Sequence, residues 1–163
     1  MITLTKMMTV RAMERADLTA LHPILEGTGL FPAEMLADMA EPGLSGAAED
    51  LWLVAEAEGA VLGFAFAEPE RLTEGTWNLL AIAVLPEAQG QGVGKALVRA
   101  TEAQLRAGGG RVLLVETSSL ESYAATRGFY DGLGYAREAV IRDFYAEGED
   151  KVVFWRHLAR PRE

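Results

Sequence analysis

Apolar positions along this chain follow two rhythms, and each predicts an element. Thr9-Val10-Arg11-Ala12 fits a first strand. From Asp17 to Glu26, Leu18, Leu21, Ile24 and Leu25 recur at roughly helical spacing, and Gly27-Thr28-Gly29 breaks the pattern. Pro32 to Ala40 predicts a second short helix carrying Met35, Leu36 and Met39, with a proline in its first turn, where no helical N–H bond is lost. Glu41 to Gly46 predicts a loop. Leu51 to Glu56 and Val61 to Ala67 are apolar runs joined by Glu58-Gly59, which predicts a hairpin. Trp77 to Val84 is almost continuously apolar, as expected of a strand buried on both faces.

A glycine-rich turn, Gln89-Gly90-Gln91-Gly92-Val93-Gly94, then leads into a helix predicted to reach about Ala107, with Leu97, Val98, Thr101 and Leu105 on its buried face. Arg111 to Glu116 is a further apolar strand, and the strand–loop–helix–strand order implies a right-handed parallel crossover. Ser118 and Glu121 have capping-box spacing and predict a helix that ends near Leu133-Gly134. Gly128 weakens that helix by about 1 kcal/mol relative to alanine, with close backbone packing as a candidate reason. Arg137 to Tyr145 and Lys151 to Leu158 close the chain as two strands. The order β-α-α-β-β-β-α-β-α-β-β describes a single α/β domain with a mixed sheet. It is expected over 9–160, behind a candidate disordered extension, 1–8.

Composition narrows the function. A chain of 163 residues, 50% of them hydrophobic, suits one domain with a real core. No apolar run reaches about eighteen residues, so no transmembrane helix is expected. The N-terminus does not read as a secretory signal, and a cytoplasmic protein with no membrane partner is expected. The absence of cysteine excludes a disulfide framework, a cysteine zinc site and an acyl-cysteine intermediate. A net charge of −9 without a basic patch argues against nucleic acid and mildly favours a cationic substrate. His22 and His157 lie far apart without ligand partners, so no metal is expected.

The glycine turn is the most informative segment. Gly90, Gly92 and Gly94 let the backbone approach a ligand. The following helix aims its unpaired N–H groups and positive dipole end at the turn, a combination that binds phosphate or diphosphate. Lys95 adds charge at the mouth. A Walker loop fails here, because position 89 is Gln and position 96 is Ala. The dinucleotide fingerprint fails on its spacing.

Gln89-x-x-Gly92-x-Gly94 resembles the Gln/Arg-x-x-Gly-x-Gly/Ala signature of the GCN5-related N-acetyltransferases, the GNAT family. Phe129-Tyr130-Asp131-Gly132-Leu133-Gly134-Tyr135 resembles the family's Phe/Leu-Tyr-x-x-x-Gly-Phe/Tyr segment, and the hairpin and the strand ending at Pro86 resemble its early strands. The likeness covers about residues 9 to 158 in the right order. It implies a central, mixed but mostly antiparallel sheet of about 6–7 strands, about four flanking helices, and a splayed parallel strand pair that binds the cofactor. It also implies an N-acetyltransferase that moves acetyl from acetyl-coenzyme A to an amine by direct attack in a ternary complex.

The resemblance assigns the coenzyme's diphosphate to the backbone of Gln89, Gly90, Gln91, Gly92, Val93, Gly94 and Lys95. The pantetheine arm falls to Ile82, Ala83 and Val84, with the Val84 N–H as oxyanion donor. Tyr130 matches the tyrosine that donates a proton to the departing thiolate. Full transfer from a phenol to a thiolate is uphill by about 2 kcal/mol at ordinary pKa values. A hydrogen bond to sulfur, with the proton finally coming from the new ammonium, therefore also fits. On a helical wheel Ala125, Phe129 and Leu133 form the core stripe. Tyr130 falls about 100° from Phe129, on a face shared with Tyr123 and Arg127.

The chain also departs from the family pattern. Tyr123 and Thr126 stand where many members carry Asn and Ala, so the asparagine's contact to the pantetheine arm passes to Tyr123 itself or to Ser118, Ser119 or Ser122. Many relatives carry a glutamate on the strand before the glycine loop, and Trp77 to Leu85 has no acid. Glu116 is the best general base by position, with Asp143 and Tyr145 as rivals. Each has a plainer role: Glu116 bonding backbone amides, Asp143 pairing with Arg142 or Lys151. Phe31 and Tyr145 are candidates for the acceptor pocket, and Phe31 serves equally as a packing residue. The missing strand glutamate keeps a non-catalytic acyl-coenzyme A sensor as the alternative function. A small amine or a peptide amine is the expected acceptor. A homodimer is common among similar enzymes, which makes a second copy of the chain a candidate partner.

Overall fold

The computed structural model describes residues 7–158. In chain order these form β1 (Met8–Ala12), α1 (Leu18–Thr28), α2 (Leu36–Ser45), β2 (Leu51–Ala57), β3 (Ala60–Pro69), β4 (Thr76–Val84), α3 (Val93–Ala107), β5 (Val112–Ser118), α4 (Ala124–Gly132), β6 (Ala136–Ala146) and β7 (Glu149–His157). The predicted element order is the observed one. The seven strands run β1-β2-β3-β4-β5-β7-β6 across one mixed sheet. The expected extension 1–8 lies outside the described residues up to residue 6, and Met8 already belongs to the sheet, paired with Ala57. Residues 159 and 160 of the expected domain also lie outside the described residues.

Packing divides the chain into two compact units: the chain up to Glu68 with Leu80–Gln104, and Pro69–Leu79 with the chain from Leu105 on. In the first, β1, β2 and β3 are antiparallel. Glu58 and Gly59 both have positive φ, 52° and 79°, which gives the β2–β3 hairpin a turn that matches strand twist. The core gathers Leu21, Ile24 and Leu25 from α1, Leu36 and Ala40 from α2, and Trp52, Val54, Phe64, Phe66, Ala81 and Ala83 from the strands. The Trp52 ring stacks on Phe66 at 4.0 Å between centroids, and such a pair adds about 0.5–1.5 kcal/mol beyond its burial.

Helix limits differ from the sequence reading for local reasons. α1 runs through Gly27 and stops only at Gly29, whose left-handed φ of 67° lets its N–H return to the Leu25 carbonyl. α2 absorbs most of the expected loop Glu41 to Gly46, despite Pro42, because Leu44 packs on the core and Gly46 supplies the left-handed cap. The capping box at Ser118 does not form. Ser118 is drawn into β5, where its hydroxyl donates to Glu149 Oε1 and accepts from the Leu120 N–H, and α4 starts later, at Ala124. Close packing does not explain Gly128: a Cβ there would meet nothing within 4 Å.

In the second unit, β4 and β5 are parallel, and β7 lies between β5 and β6, antiparallel to both. α4 sends Tyr130 onto Phe154 of β7. All of β6 is exposed. Register breaks between Arg137 and Ala139 and between Ile141 and Ala146, with Asp143 at φ 53°, kink this terminal strand. Such bulges discourage edge-to-edge pairing. Among the described residues no helix is long and apolar enough to cross a membrane.

Candidate active site

The glycine turn folds as its sequence demands. Gly90 and Gly92 take φ of 77° and 84°, where a side chain is strained. Beyond its chain neighbours, a Cβ at either would meet nothing within 4 Å, so there is open space at both positions. The Ala96 N–H donates to the Gly92 carbonyl at 3.0 Å and begins the α3 ladder. Helix geometry leaves the N–H groups of Val93, Gly94 and Lys95 without intrahelical acceptors. Val93, Leu97, Val98 and Thr101 are buried and anchor the helix that presents them, while Lys95 is exposed. This arrangement fits a diphosphate: several amides, a positive dipole end, one exposed cation and no side chain in the way.

The end of β4 is set beside this turn by β3. The Leu85 N–H donates to the Leu62 carbonyl at 2.7 Å. Strand alternation then turns the Val84 N–H and C=O away from β3. The Val84 carbonyl takes a hydrogen bond from the Gln89 side chain at 3.1 Å, so the signature glutamine braces the strand end. Gly63 makes the close approach of β3 possible; sequence reading missed it, because a glycine inside an apolar strand gives no sign of what it faces. The parallel ladder runs only from Thr76↔Val112 to Leu79↔Val115, although β4 continues to Val84 and β5 to Ser118.

In the second unit Tyr130 does not share an outward face with Tyr123 and Arg127, which the helical wheel placed beside it. It is 2% exposed, and its ring packs against Phe129, Tyr135 and Phe154 at 5.1, 5.6 and 5.5 Å. Ala125, placed in the core stripe, is exposed instead. α4 is short and ends at Gly132, so β7 and the turn to Tyr135 decide which face is covered. Burial pushes the Tyr130 phenol well above the ordinary tyrosine range. Its proton is harder to give away than that of an exposed tyrosine.

Glu116 lies at the end of β5 opposite Val153. Its Oε2 is 3.2 Å from the Lys151 ammonium, which also sits 3.6 Å from the Phe144 ring centroid. Lys151 therefore pairs with Glu116, not with Asp143. Tyr145 joins this group: burial first, then the charges of Glu116 and Glu149 and the neighbouring Tyr123, hold its phenol above the usual range. It is neutral near pH 7 and is poorly suited to act as a base. Tyr123 and Tyr145 are both nearly half exposed.

The remaining candidates have evident structural partners. Asp143 accepts from the Gly148 N–H at 2.8 Å, and its own N–H donates to Asp150 Oδ1 at 2.9 Å, which braces the β6–β7 turn. The Ser119 hydroxyl accepts from the Asp150 N–H at 2.8 Å. Phe31 packs edge-on against Phe64 at 6.3 Å, within the first unit's core.

Residues 48–137 match the family model described as an acetyltransferase (GNAT) domain. A GNAT-family protein from Desulfovibrio desulfuricans superposes with a TM-score of 0.85 at 31% identity, over 93% of this chain and 99% of that one. The ribosomal-protein-S18-alanine N-acetyltransferase of Escherichia coli is 25% identical with a TM-score of 0.75, over 96% and 97% of the two chains. An aminoglycoside 6′-N-acetyltransferase complexed with coenzyme A shares the fold at 17% identity, with a TM-score of 0.78 over 95% and 99%. No curated protein matches the chain. The protein belongs to the GNAT family of acetyltransferases.

Proposed function

We propose that the chain transfers acetyl from acetyl-coenzyme A to an amine by direct attack in a ternary complex, as a cytoplasmic enzyme. The observation that carries this reading is the turn in which left-handed Gly90 and Gly92 precede the free amides of α3. These amides and Lys95 hold the donor's diphosphate. Ile82, Ala83 and Val84 pair with the pantetheine arm. Val84 suits this because its N–H turns away from β3.

The acceptor arrives as an ammonium near pH 7. Glu116 takes one proton from it, directly or through water. The freed nitrogen attacks the thioester carbon, and the oxygen that gains the electron pair is met by the Val84 N–H. Collapse breaks the carbon–sulfur bond. The sulfur leaves against the Tyr130 hydroxyl and takes the second nitrogen proton. The products are an amide and the free thiol.

Calorimetric titration of acetyl-coenzyme A, with thiol release measured over small amines, aminoglycosides and peptides, tests the reading. Binding with thiol release and an amide product is expected. No heat on titration overturns it. Binding without turnover across all three panels favours the acyl-coenzyme A sensor instead.

A further inference from the structure

We propose that Lys151 is a positioning residue for acetyl transfer, holding the Glu116 carboxylate in place to meet the acceptor. The inference rests on Glu116 as the general base. β7 is the middle strand of its trio, with Lys151 opposite Ser118 on β5 and Ile141 on β6. Lys151 and Val153 share one face of β7, and Glu116 lies opposite Val153, so lysine and glutamate are diagonal neighbours on that face. The separation of 3.2 Å and the ring 3.6 Å away hold the ammonium on two sides.

Exposure separates this pair from an ordinary surface contact. The Lys151 side chain is 10% exposed and that of Glu116 28%. A lysine gains little from burial among strands unless its charge is used, since an apolar residue would pack there at lower cost. Here the buried cation faces a carboxylate that remains accessible. Such a neighbour limits the rotation of the carboxylate.

The other groups around this carboxylate have different attachments. Glu149 on β7 takes the Ser118 hydroxyl at 2.8 Å. Tyr145 on β6 and Tyr123 ahead of α4 are phenols, both nearly half exposed, and carry no positive charge. Lys151 is the cation paired with Glu116.

The test is kcat and KM, measured separately, for Lys151→Met, Lys151→Arg and Glu116→Gln, with the best acceptor from the amine panel. Lys151→Met is expected to lower kcat about tenfold, because the carboxylate is no longer held in place. The KM for acetyl-coenzyme A is expected to stay near wild type, and Lys151→Arg to restore kcat. A loss confined to KM, a loss that Lys151→Arg does not relieve, or no change, overturns the proposal. Lys151→Gln carries the same prediction if Lys151→Met does not fold. Full activity of Glu116→Gln instead overturns Glu116 as base, a separate failure.

Discussion

A Cβ on Gly63 would lie 2.7 Å from the Ala83 carbonyl oxygen. The same atom would stand 3.2 Å from Leu97 Cδ1 and 3.4 Å from Val84 Cα. Gly63 is therefore the residue that lets β3 support both the strand end and the helix of the glycine turn.

Gly63→Ala must push β4 outward, because the nearest obstacle is backbone. Overpacking of this kind costs about 1–3 kcal/mol. We expect a lowered thermal midpoint together with weaker acetyl-coenzyme A binding by calorimetry, since the displaced strand carries Val84. Unchanged binding in a destabilised variant would confine Gly63 to a packing role.

Tyr130→Phe keeps the ring among Phe129, Tyr135 and Phe154 and removes only the hydroxyl. We expect kcat to fall by about tenfold to a hundredfold while the thermal midpoint at pH 7 hardly moves. At high pH the two proteins diverge. The Tyr130 pKa is raised by folding, so its contribution is complete below the ordinary value of about 10 and is lost as pH rises above it, when the unfolded chain ionises first. Wild type should lose stability more steeply than Tyr130→Phe in that range. Parallel melting curves would contradict the burial of the phenol.

Asp17 gives the opposite pH dependence. Its carboxylate takes two hydrogen bonds from Arg11, both 2.8 Å, and one from the Glu14 N–H at 2.7 Å. The Arg11 hydrogen bonds lead in holding its pKa below the ordinary range. The charged form stabilises the fold above that range, and the benefit is lost as pH falls through the folded value. Arg11→Gln should cost about 1–3 kcal/mol at pH 7, discounted because Arg11 is partly exposed. In urea titrations the deficit should shrink in acid. A deficit independent of pH would place the effect elsewhere.

The glycine turn was legible because its glycines are required by backbone conformation. Left-handed φ at Gly90 and Gly92 and a helix with an unmistakable buried face leave little freedom. Ser118 and Tyr130 were misread for a common reason. Each sits at the border of a short element, where local spacing competes with partners distant in sequence. Ser118 is claimed by Glu149, and Tyr130 by Phe154. The pairing of Lys151 with Glu116 had no sequence signal, since it depends on β7 entering between β5 and β6.

The amino-acid sequence alone determined the order of elements, the glycine turn ahead of α3 and the family, because these rest on periodicity, on glycine's backbone freedom and on short-range spacing. Only the tertiary structure decided which side of Tyr130 is covered, which cation accompanies Glu116 and why position 63 admits no side chain. Those answers depend on strand register and on contacts between residues far apart along the chain, and one strand inserted elsewhere in the sheet would change them without altering any local pattern.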